Sequence, residues 1–381
     1  MIDAVLHALR LAFTMFWDIA WSLVLGFLFS AVIEVTVSKS EMARLLPDAS
    51  LRSVLRASVF GAASSSCSYA AVAIARSIIR KGGDFTATMA FQFAATNLVL
   101  ELGVMMWVLL AFQFAAAEFV GGVAMIVTML LLLRFTLRDR LRRAALTQAG
   151  KGIAGAMEGH AAMSMAAQRG PWAARLVSKA GWVGISHFFV MNWVMLWRDI
   201  ALGVLVAGAL GAWVPDAFWQ ALFLVRHPVA AALWGAFVGP LIALASFTCS
   251  VGNVPLAAVL WNGGISFGGV VAFIFGDLII PPILNIYRKY YGGKMVAYLF
   301  VTSYAAMVIA ALLVEGVFAL AGWVPHVRHT AAIEAHLGIN YTTVLNIVFG
   351  AIGLVLVMIF FRTGGPRMIR AMKDGGAHPA H

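Results

Sequence analysis

Charged residues are scarce in this chain. Asp, Glu, Lys and Arg make up 11% of its 381 residues, whereas hydrophobic residues make up 62%. A water-soluble domain needs about a quarter of its residues charged to keep its surface solvated. The scarcity therefore excludes a soluble globular protein and predicts an all-α polytopic membrane protein.

Negative charge is the scarcer sign, with 16 Asp plus Glu against 27 Lys plus Arg. In a membrane protein this excess is typical of cytoplasmic loops, and nothing else in the sequence indicates nucleic-acid binding. Residues 1–10 lack the short apolar core and small-residue cleavage site of a secretory signal. We therefore expect the first apolar run to remain in the mature protein.

Cysteine is nearly absent. The two cysteines, Cys67 and Cys249, lie too far apart in the chain to indicate a disulfide framework or a zinc site. The sequence also lacks an ATP-binding GxxxxGK[ST] loop, a Cys-x-x-Cys pair and a cofactor-binding histidine cluster. We therefore expect a transporter that needs no cofactor, rather than an enzyme. A membrane enzyme and a scaffold subunit are the weaker alternatives, and the oligomeric state is left open.

Long apolar runs are what the chain has in abundance. They lie near residues 11–36, 54–79, 85–113, 115–137, 181–214, 228–262, 265–287, 295–323 and 341–361. About 20 apolar residues cross a bilayer. The polar, basic stretch 138–180 is typical of a cytoplasmic linker. It separates a first transmembrane repeat (1–137) from a second (181–323), and a C-terminal transmembrane helix with a basic cytoplasmic tail follows (324–381).

The two halves repeat each other at an interval of 182 residues. Ten of the thirty positions from 64 to 93 are identical to those 182 residues later, where chance would give two or three. The segment SSSCS at 64–68 falls on SFTCS at 246–250, so both cysteines occupy the same place in their repeats.

Basic residues predict the orientation of the repeats. If each cysteine segment is a re-entrant hairpin, 22 of the 27 Lys and Arg lie on cytoplasmic segments, and only Arg10, Arg226 and Arg328 lie outside. The positive-inside rule therefore favours hairpins, with three full spans per repeat and the second repeat inverted. The second hairpin depends on a helix break at Gly239–Pro240, since 229–245 is otherwise long enough nearly to cross. This topology predicts a bacterial-type inner membrane, an outside N-terminus and a cytoplasmic C-terminus.

Polar side chains at the predicted hairpin tips and breaks are the candidate substrate contacts, because polar groups at mid-membrane depth need a partner. These residues are Ser66, Ser68, Asn97, Thr248, Ser250 and Asn253. Gly252 and Pro255 are expected to let the chain turn and restart a helix.

Two acidic residues are candidates for proton coupling. Asp277 precedes a predicted helix break at Pro281–Pro282 and has no basic neighbour in the sequence. Glu101 follows Asn97 by one helical turn, which would place the two on one helix face.

The segment CSVGNVP at 249–255 resembles a motif of the form Cys-Ser-Cys-Gly-x-x-Pro. This motif is typical of the predicted-permease family that includes the ArsP-type organoarsenical efflux permeases. Val251 stands at the second cysteine position, and the first-half segment CSYAAVA at 67–73 departs further. The resemblance implies two related halves that carry the motif in hairpins, and export of trivalent, thiol-seeking metalloid compounds.

The cysteines have two interpretations. Thiols from two facing hairpin tips form a two-coordinate site for a soft metalloid such as As(III). Alternatively, they are small apolar residues that pack the hairpin crossing. We therefore predict a metalloid or other small-molecule permease that works by alternating access in the lipid bilayer. A permease or channel for a sulfur or selenium species or an inorganic anion is the alternative.

Overall fold

Helices form all the regular structure in the described part of the chain. The computed structural model describes residues 2–36, 48–64, 68–80, 82–150, 176, 178–246, 250–326, 328, 341–367 and 369. Its helices are α1 (Ile2–Thr36), α2 (Leu51–Ser64), α3 (Ser68–Arg80), α4 (Phe85–Asn97), α5 (Leu100–Leu109), α6 (Phe112–Thr136), α7 (Asp139–Gly150), α8 (Lys179–Trp213), α9 (Asp216–Leu222), α10 (Pro228–Ser246), α11 (Ser250–Gly263), α12 (Phe267–Phe275), a 3₁₀ turn (Gly276–Ile279), α13 (Pro281–Tyr291), α14 (Gly293–Leu320) and α15 (Tyr341–Arg362). Helices satisfy their own backbone hydrogen bonds, as a lipid environment requires.

Several of these helices are long and apolar enough to cross a membrane. Among the described residues, six pass this test, namely α1, α4 with α5, α6, α10, α14 and α15. A seventh span results if α12, the 3₁₀ turn and α13 count as one path, which bends by 44° at Ile280. The predicted all-α polytopic membrane class is therefore confirmed.

Helix boundaries repeat at the interval found in the sequence. The matched boundaries are the ends of α2 and α10 at Ser64 and Ser246, the starts of α3 and α11 at Ser68 and Ser250, and the starts of α4 and α12 at Phe85 and Phe267. Each pair is 182 residues apart. Among the described residues, α2 to α4 and α10 to α12 therefore occupy equivalent positions in the two halves.

The turns that follow the second hairpin arms match as well. Gly82 and Gly264 both have a positive φ, of +91° and +105°, which favours glycine because a side chain is strained there. Two residues later, Asp84 and Ser266 cap α4 and α12 by accepting hydrogen bonds from first-turn backbone N–H groups. The two turns therefore use the same backbone geometry and equivalent caps.

Repeat-related helices pack against each other. α1 packs against α8, and α6 packs against α14. The halves also cross over, since α3 contacts α13 and α11 contacts α5. α15 lies against α1 and α8, where the side-chain N–H of Asn346 donates to the carbonyl of Trp17 at 2.8 Å. The two repeats thus form one interlocked bundle with the C-terminal helix on its side.

The first arms of the two hairpins differ in length. α2 has 14 residues and is about 21 Å long, whereas α10 has 19 residues and is about 28 Å long. α10 continues through Pro240, so the expected break at Gly239–Pro240 is wrong. At Gly239 the helix instead packs closely on α12, where an added Cβ would lie 2.5 Å from the carbonyl oxygen of Gly269. The re-entrant character of the second hairpin therefore stays a prediction.

The linker begins with a docked helix. α7 packs against α3, α13 and α14. Arg142 on α7 forms a 2.6 Å ion pair with Asp84, Gln148 donates to the carbonyl of Lys289 at 3.2 Å, and the carbonyl of Ala149 accepts from buried Arg76 at 3.3 Å. The end of α3, the start of α4 and the end of α13 therefore lie on the linker side of the bundle. Residues 151–175 of the linker lie outside the described residues.

The second arms of the hairpins, α3 and α11, run in opposite directions. The guanidinium of Arg76, near the end of α3, lies 4.2 Å from the ring centre of Tyr290, near the end of α13. α11 instead ends at Gly263, just before the start of α12. Since α12 and α13 form one bent path, the two arms end at opposite ends of it. This geometry agrees with the predicted inversion, although the orientation in a membrane stays a prediction.

Candidate transport site

Two hairpin serines converge on one carboxylate. The hydroxyls of Ser68 and Ser250 both donate hydrogen bonds to Oδ2 of Asp277, and the Ser250 bond is 2.8 Å long. All three residues are buried. Ser68 and Ser250 are repeat-related, and each directly follows a cysteine in the sequence. Asp277 therefore joins the two hairpins at equivalent positions.

Asp277 lies at a helix break. It is in the 3₁₀ turn that separates α12 from α13, and Pro281 begins α13. The described parts of α3 and α11 begin at Ser68 and Ser250. The break thus places the Asp277 carboxylate beside the first described residue of each second hairpin arm.

Glu118 is a second buried carboxyl near Asp277. It lies in α6, is fully buried, and neither of its carboxyl oxygens has a hydrogen-bond partner among the described residues. One turn further along α6, an added Cβ on Gly121 would lie 3.0 Å from Phe275, two residues before Asp277, so α6 packs against the turn that carries Asp277. Glu118 was not among the candidates predicted from the sequence. The signal was present, because Glu118 is an acidic residue inside the apolar run 115–137, as Asp277 is inside 265–287.

Two glycines bring α6 against both helix breaks. An added Cβ on Gly121 would lie 3.0 Å from Cζ of Phe275, the last residue of α12. An added Cβ on Gly122 would lie 2.7 Å from the carbonyl oxygen of Asn97, the last residue of α4. Glu118 shares a helix face with both glycines, which follow it by three and four residues. It therefore faces the region between the two breaks.

Asn253 closes the second hairpin. It is fully buried in α11, and its side-chain oxygen accepts a 3.3 Å hydrogen bond from Ser246 at the end of α10. Gly252 does not serve the turn as expected, since it lies within α11 and packs against Gly203 of α8. Pro255 also lies inside α11. The motif residues thus shape the packing of α11 as well as the tip.

Asn97 and Glu101 belong to different helices. α4 ends at Asn97 and α5 begins at Leu100, so the expectation that both lie on one continuous helix face is wrong. The Asn97 side-chain N–H groups donate to the carbonyl of Phe93 at 3.1 Å and to Thr96 at 3.0 Å. Asn97 therefore ends α4 and forms its side-chain hydrogen bonds within the last turn of that helix.

Glu101 borders a separate cavity of about 260 Å³. The cavity lies between α1, α2, α5 and α6, and apolar side chains such as Phe29 and Phe119 form most of its wall. Glu101 is buried, and its carboxyl packs so closely on Gly26 that an added Cβ there would lie 2.2 Å away. The structure thus places Glu101 beside an apolar cavity, in contact with α1.

Comparison with known proteins identifies the chain. Residues 4–316 match the family described as "Predicted permease". The chain belongs to this permease family. It is also 52% identical over 345 residues to "Putative permease Rv2963" of Mycobacterium tuberculosis (strain ATCC 25618 / H37Rv), which covers 90% of this chain and 84% of the relative. No solved structure matches the chain.

Family membership gives the permease its general role. The match covers both structural repeats, from α1 to most of α14, and includes Glu118, Asp277 and both serines of the site. The protein is therefore a multi-pass membrane permease, and the family indicates transport rather than catalysis. The expected resemblance to the predicted-permease family is confirmed.

Both cysteines of the permease and two of the predicted contacts fall outside the described residues. These four residues are Cys67, Ser66, Cys249 and Thr248. Of the other predicted site residues, the structure brings Ser68, Ser250 and Asp277 into contact. The candidate site is therefore defined by the residues that directly follow the cysteines.

Proposed function

We propose that this permease is a secondary transporter that exports a small thiol-reactive metalloid or organometalloid by alternating access. One observation carries the proposal: Ser68 and Ser250, each the residue after a cysteine, bond to the same carboxylate oxygen of Asp277. The two cysteine-bearing tips therefore start helices that meet at one point in the bundle.

The chemistry of that point suits a soft, hydrogen-bonding solute. Thiolates bind As(III) and similar soft centres, and Cys67 and Cys249 supply one thiol from each repeat. Hydroxyl and amide groups of Ser68, Ser250 and Asn253 line the neighbouring helix starts and suit the hydroxyl groups of a neutral metalloid acid. The tip residues Ser66 and Thr248 belong to the same proposed lining, and Asn97 to the opposite break.

Alternating access is supported by the arrangement of the repeats. The arms α3 and α11 leave Asp277 in opposite directions, and matched helices of the two halves pack together. Rocking one repeat against the other exposes such a central site to each side in turn. Proton exchange at Asp277 or Glu101 drives export in this proposal.

The packing also supports an inner-membrane topology with a cytoplasmic C-terminus and an outside N-terminus. The basic helix α7 docks on α3 and α13, whose last turns carry Arg80 and Arg288 with Lys289. All three were predicted to be cytoplasmic.

A ligand-induced melting shift tests the proposed substrate. We expect trivalent phenylarsine oxide to raise the Tm of the purified wild type, with about 2.7 kcal/mol of stabilisation at 100 times Kd. Cys67→Ser, Cys249→Ser and the double variant should each lose the shift, because one thiol cannot bridge. Pentavalent phenylarsonate, which forms no thiol bond, is the matched ligand control. An unchanged shift in the double variant would refute metalloid binding at the cysteines.

Transport of an inorganic anion is the second candidate. It is favoured by the two hydroxyl donors, Ser68 and Ser250, that converge on one point in the bundle, since hydroxyl groups also donate hydrogen bonds to oxyanions. The test measures selenite or sulfite flux in proteoliposomes. Equal flux in the wild type and the double cysteine variant would favour this candidate over metalloid export.

A further inference from the structure

We infer that Glu118 and Asp277 form the proton-binding site of the permease, with a proton held on Glu118 and the negative charge on Asp277. The inference rests on the proposed transport function and assigns its coupling ion. It replaces Glu101, which borders a separate cavity, with a carboxyl that the sequence analysis did not identify.

Burial sets the number of protons at the pair. Both carboxyls are fully buried, and the helix that carries Glu118 packs at Gly121 against Phe275, two residues before Asp277. An isolated ionised carboxylate in a low-dielectric interior costs far more than a neutral acid, and two neighbouring negative charges add repulsion. The pair therefore holds at least one proton in this conformation.

Hydrogen bonding decides which carboxyl holds the proton. Asp277 accepts two hydroxyl hydrogen bonds, from Ser68 and Ser250. These bonds stabilise a carboxylate. Glu118 has no hydrogen-bond donor among the described residues. The proton consequently resides on Glu118.

Among the described residues, the helices that pack against α6 carry no basic side chain that would balance a negative charge on Glu118. Those helices are α4, α5, α12 and α14. Their ionisable side chains are Glu101, Lys294, Tyr298, Tyr304 and Glu315. Lys294 is exposed, Glu315 accepts a hydrogen bond from the backbone N–H of Gly268, and the two tyrosine hydroxyls bond to Thr136 and to the carbonyl of Phe237. None of these groups neutralises a charge on Glu118.

The surroundings of Asp277 are similar. The helices packed on its 3₁₀ turn are α10, α11, α12, α13 and α14, and Tyr287 on α13 is the ionisable group there on which Asp277 acts. The Tyr287 hydroxyl accepts a hydrogen bond from Gln92. No described basic side chain acts on Asp277. The two serine hydroxyls are thus its stabilising partners.

Proton uptake at this pair has a structural consequence. When Asp277 gains a proton from the aqueous phase, its charge disappears and its charge-assisted bonds to Ser68 and Ser250 weaken to ordinary ones. These bonds tie α3 to α11, so protonation frees the hairpins to move apart, and release of the proton restores the contact. The pair therefore links proton binding to hairpin movement.

Infrared spectroscopy of the substrate-free protein in lipid tests the proton directly. At neutral pH we expect the wild type to show the carbonyl stretch of a buried protonated carboxylic acid, which shifts in D₂O. Glu118→Gln should lose this band, whereas the control Glu315→Gln should keep it. Glu118→Asp, which retains the acid, should also keep it and serves if the glutamine variant does not fold. A band that persists in Glu118→Gln would overturn the proposal.

A transport assay tests the coupling. Proteoliposomes with a pH gradient should accumulate phenylarsine oxide faster than proteoliposomes without one. Glu118→Gln should lose this stimulation, and Glu315→Gln should retain it. Full stimulation in Glu118→Gln would overturn the coupling role. If the wild type transports no phenylarsine oxide, the proposed substrate fails, while the infrared result still decides the proton site.

Discussion

At the scale of single residues, the permease depends on positions where no Cβ fits. Gly203 of α8 meets Gly252 of α11 backbone to backbone, so that an added Cβ would lie 2.4 Å from the carbonyl oxygen of Gly252. Gly26 gives the same kind of access to the Glu101 carboxyl. The glycine of the CSVGNVP motif thus has a packing role that its place beside a hairpin tip did not reveal.

Gly203→Ala should destabilise the protein. Backbone atoms on both sides cannot move aside by a rotamer change, and overpacking of this kind costs about 1–3 kcal/mol. Gly316→Ala on α14 is the matched control, because nothing lies within 4 Å of its added Cβ and alanine is favoured over glycine in a helix by about 0.5–1 kcal/mol. Thermal unfolding in detergent should lower the Tm of Gly203→Ala and leave that of Gly316→Ala equal or higher. Equal melting of both variants would contradict the close contact.

At the scale of helices, the hairpins are coupled through one carboxylate. The Ser68–Asp277 bond joins residues 209 positions apart, and the Ser250–Asp277 bond joins residues 27 positions apart. Each of the three residues was a candidate from the sequence because it is polar inside an apolar run. Their meeting at one oxygen atom follows from the packing of α3, α11 and the 3₁₀ turn, which local patterns do not encode.

A double-mutant cycle measures this coupling. Ser68→Ala and Ser250→Ala should each cost about 1.5–3 kcal/mol of unfolding free energy, since each removes a hydrogen bond to a charged group. In an Asp277→Asn background the same changes should cost less than about 1 kcal/mol, because the acceptor is then neutral.

The cycle has a control in Ser186→Ala. The Ser186 hydroxyl donates to the carbonyl of Leu356 at 2.7 Å, away from Asp277. Its cost should be the same in both backgrounds, because distant changes are additive. Serine effects that add fully with Asp277→Asn would show that the hairpins are not tied through this carboxylate.

At the scale of the whole molecule, features that depend on composition could be predicted from the sequence. Features that depend on packing between distant helices could not. The helical class, the repeat interval and the helix breaks at Asn97 and Pro281 follow from apolar runs and local breakers. Glu118 was missed because its importance comes from a neighbour on another helix. The break at Gly239–Pro240 was wrong because a helix interior tolerates a proline whose lost hydrogen bond is offset by packing.

The membrane topology is the remaining whole-molecule prediction, and cysteine labelling tests it. In a background with both native cysteines changed to serine, Thr147→Cys on α7 should react with a membrane-impermeant maleimide only after permeabilisation, whereas His227→Cys should react in intact cells. Ser50→Cys and Gly293→Cys are the reporters for the hairpins. Ser50 directly precedes α2 and Gly293 is the first residue of α14, and all four positions are exposed. If both hairpins are re-entrant, these two should behave like Thr147→Cys, because α7 docks beside the end of α13. If either hairpin crosses the membrane fully, its reporter should instead react like His227→Cys, and the inverted arrangement would be lost.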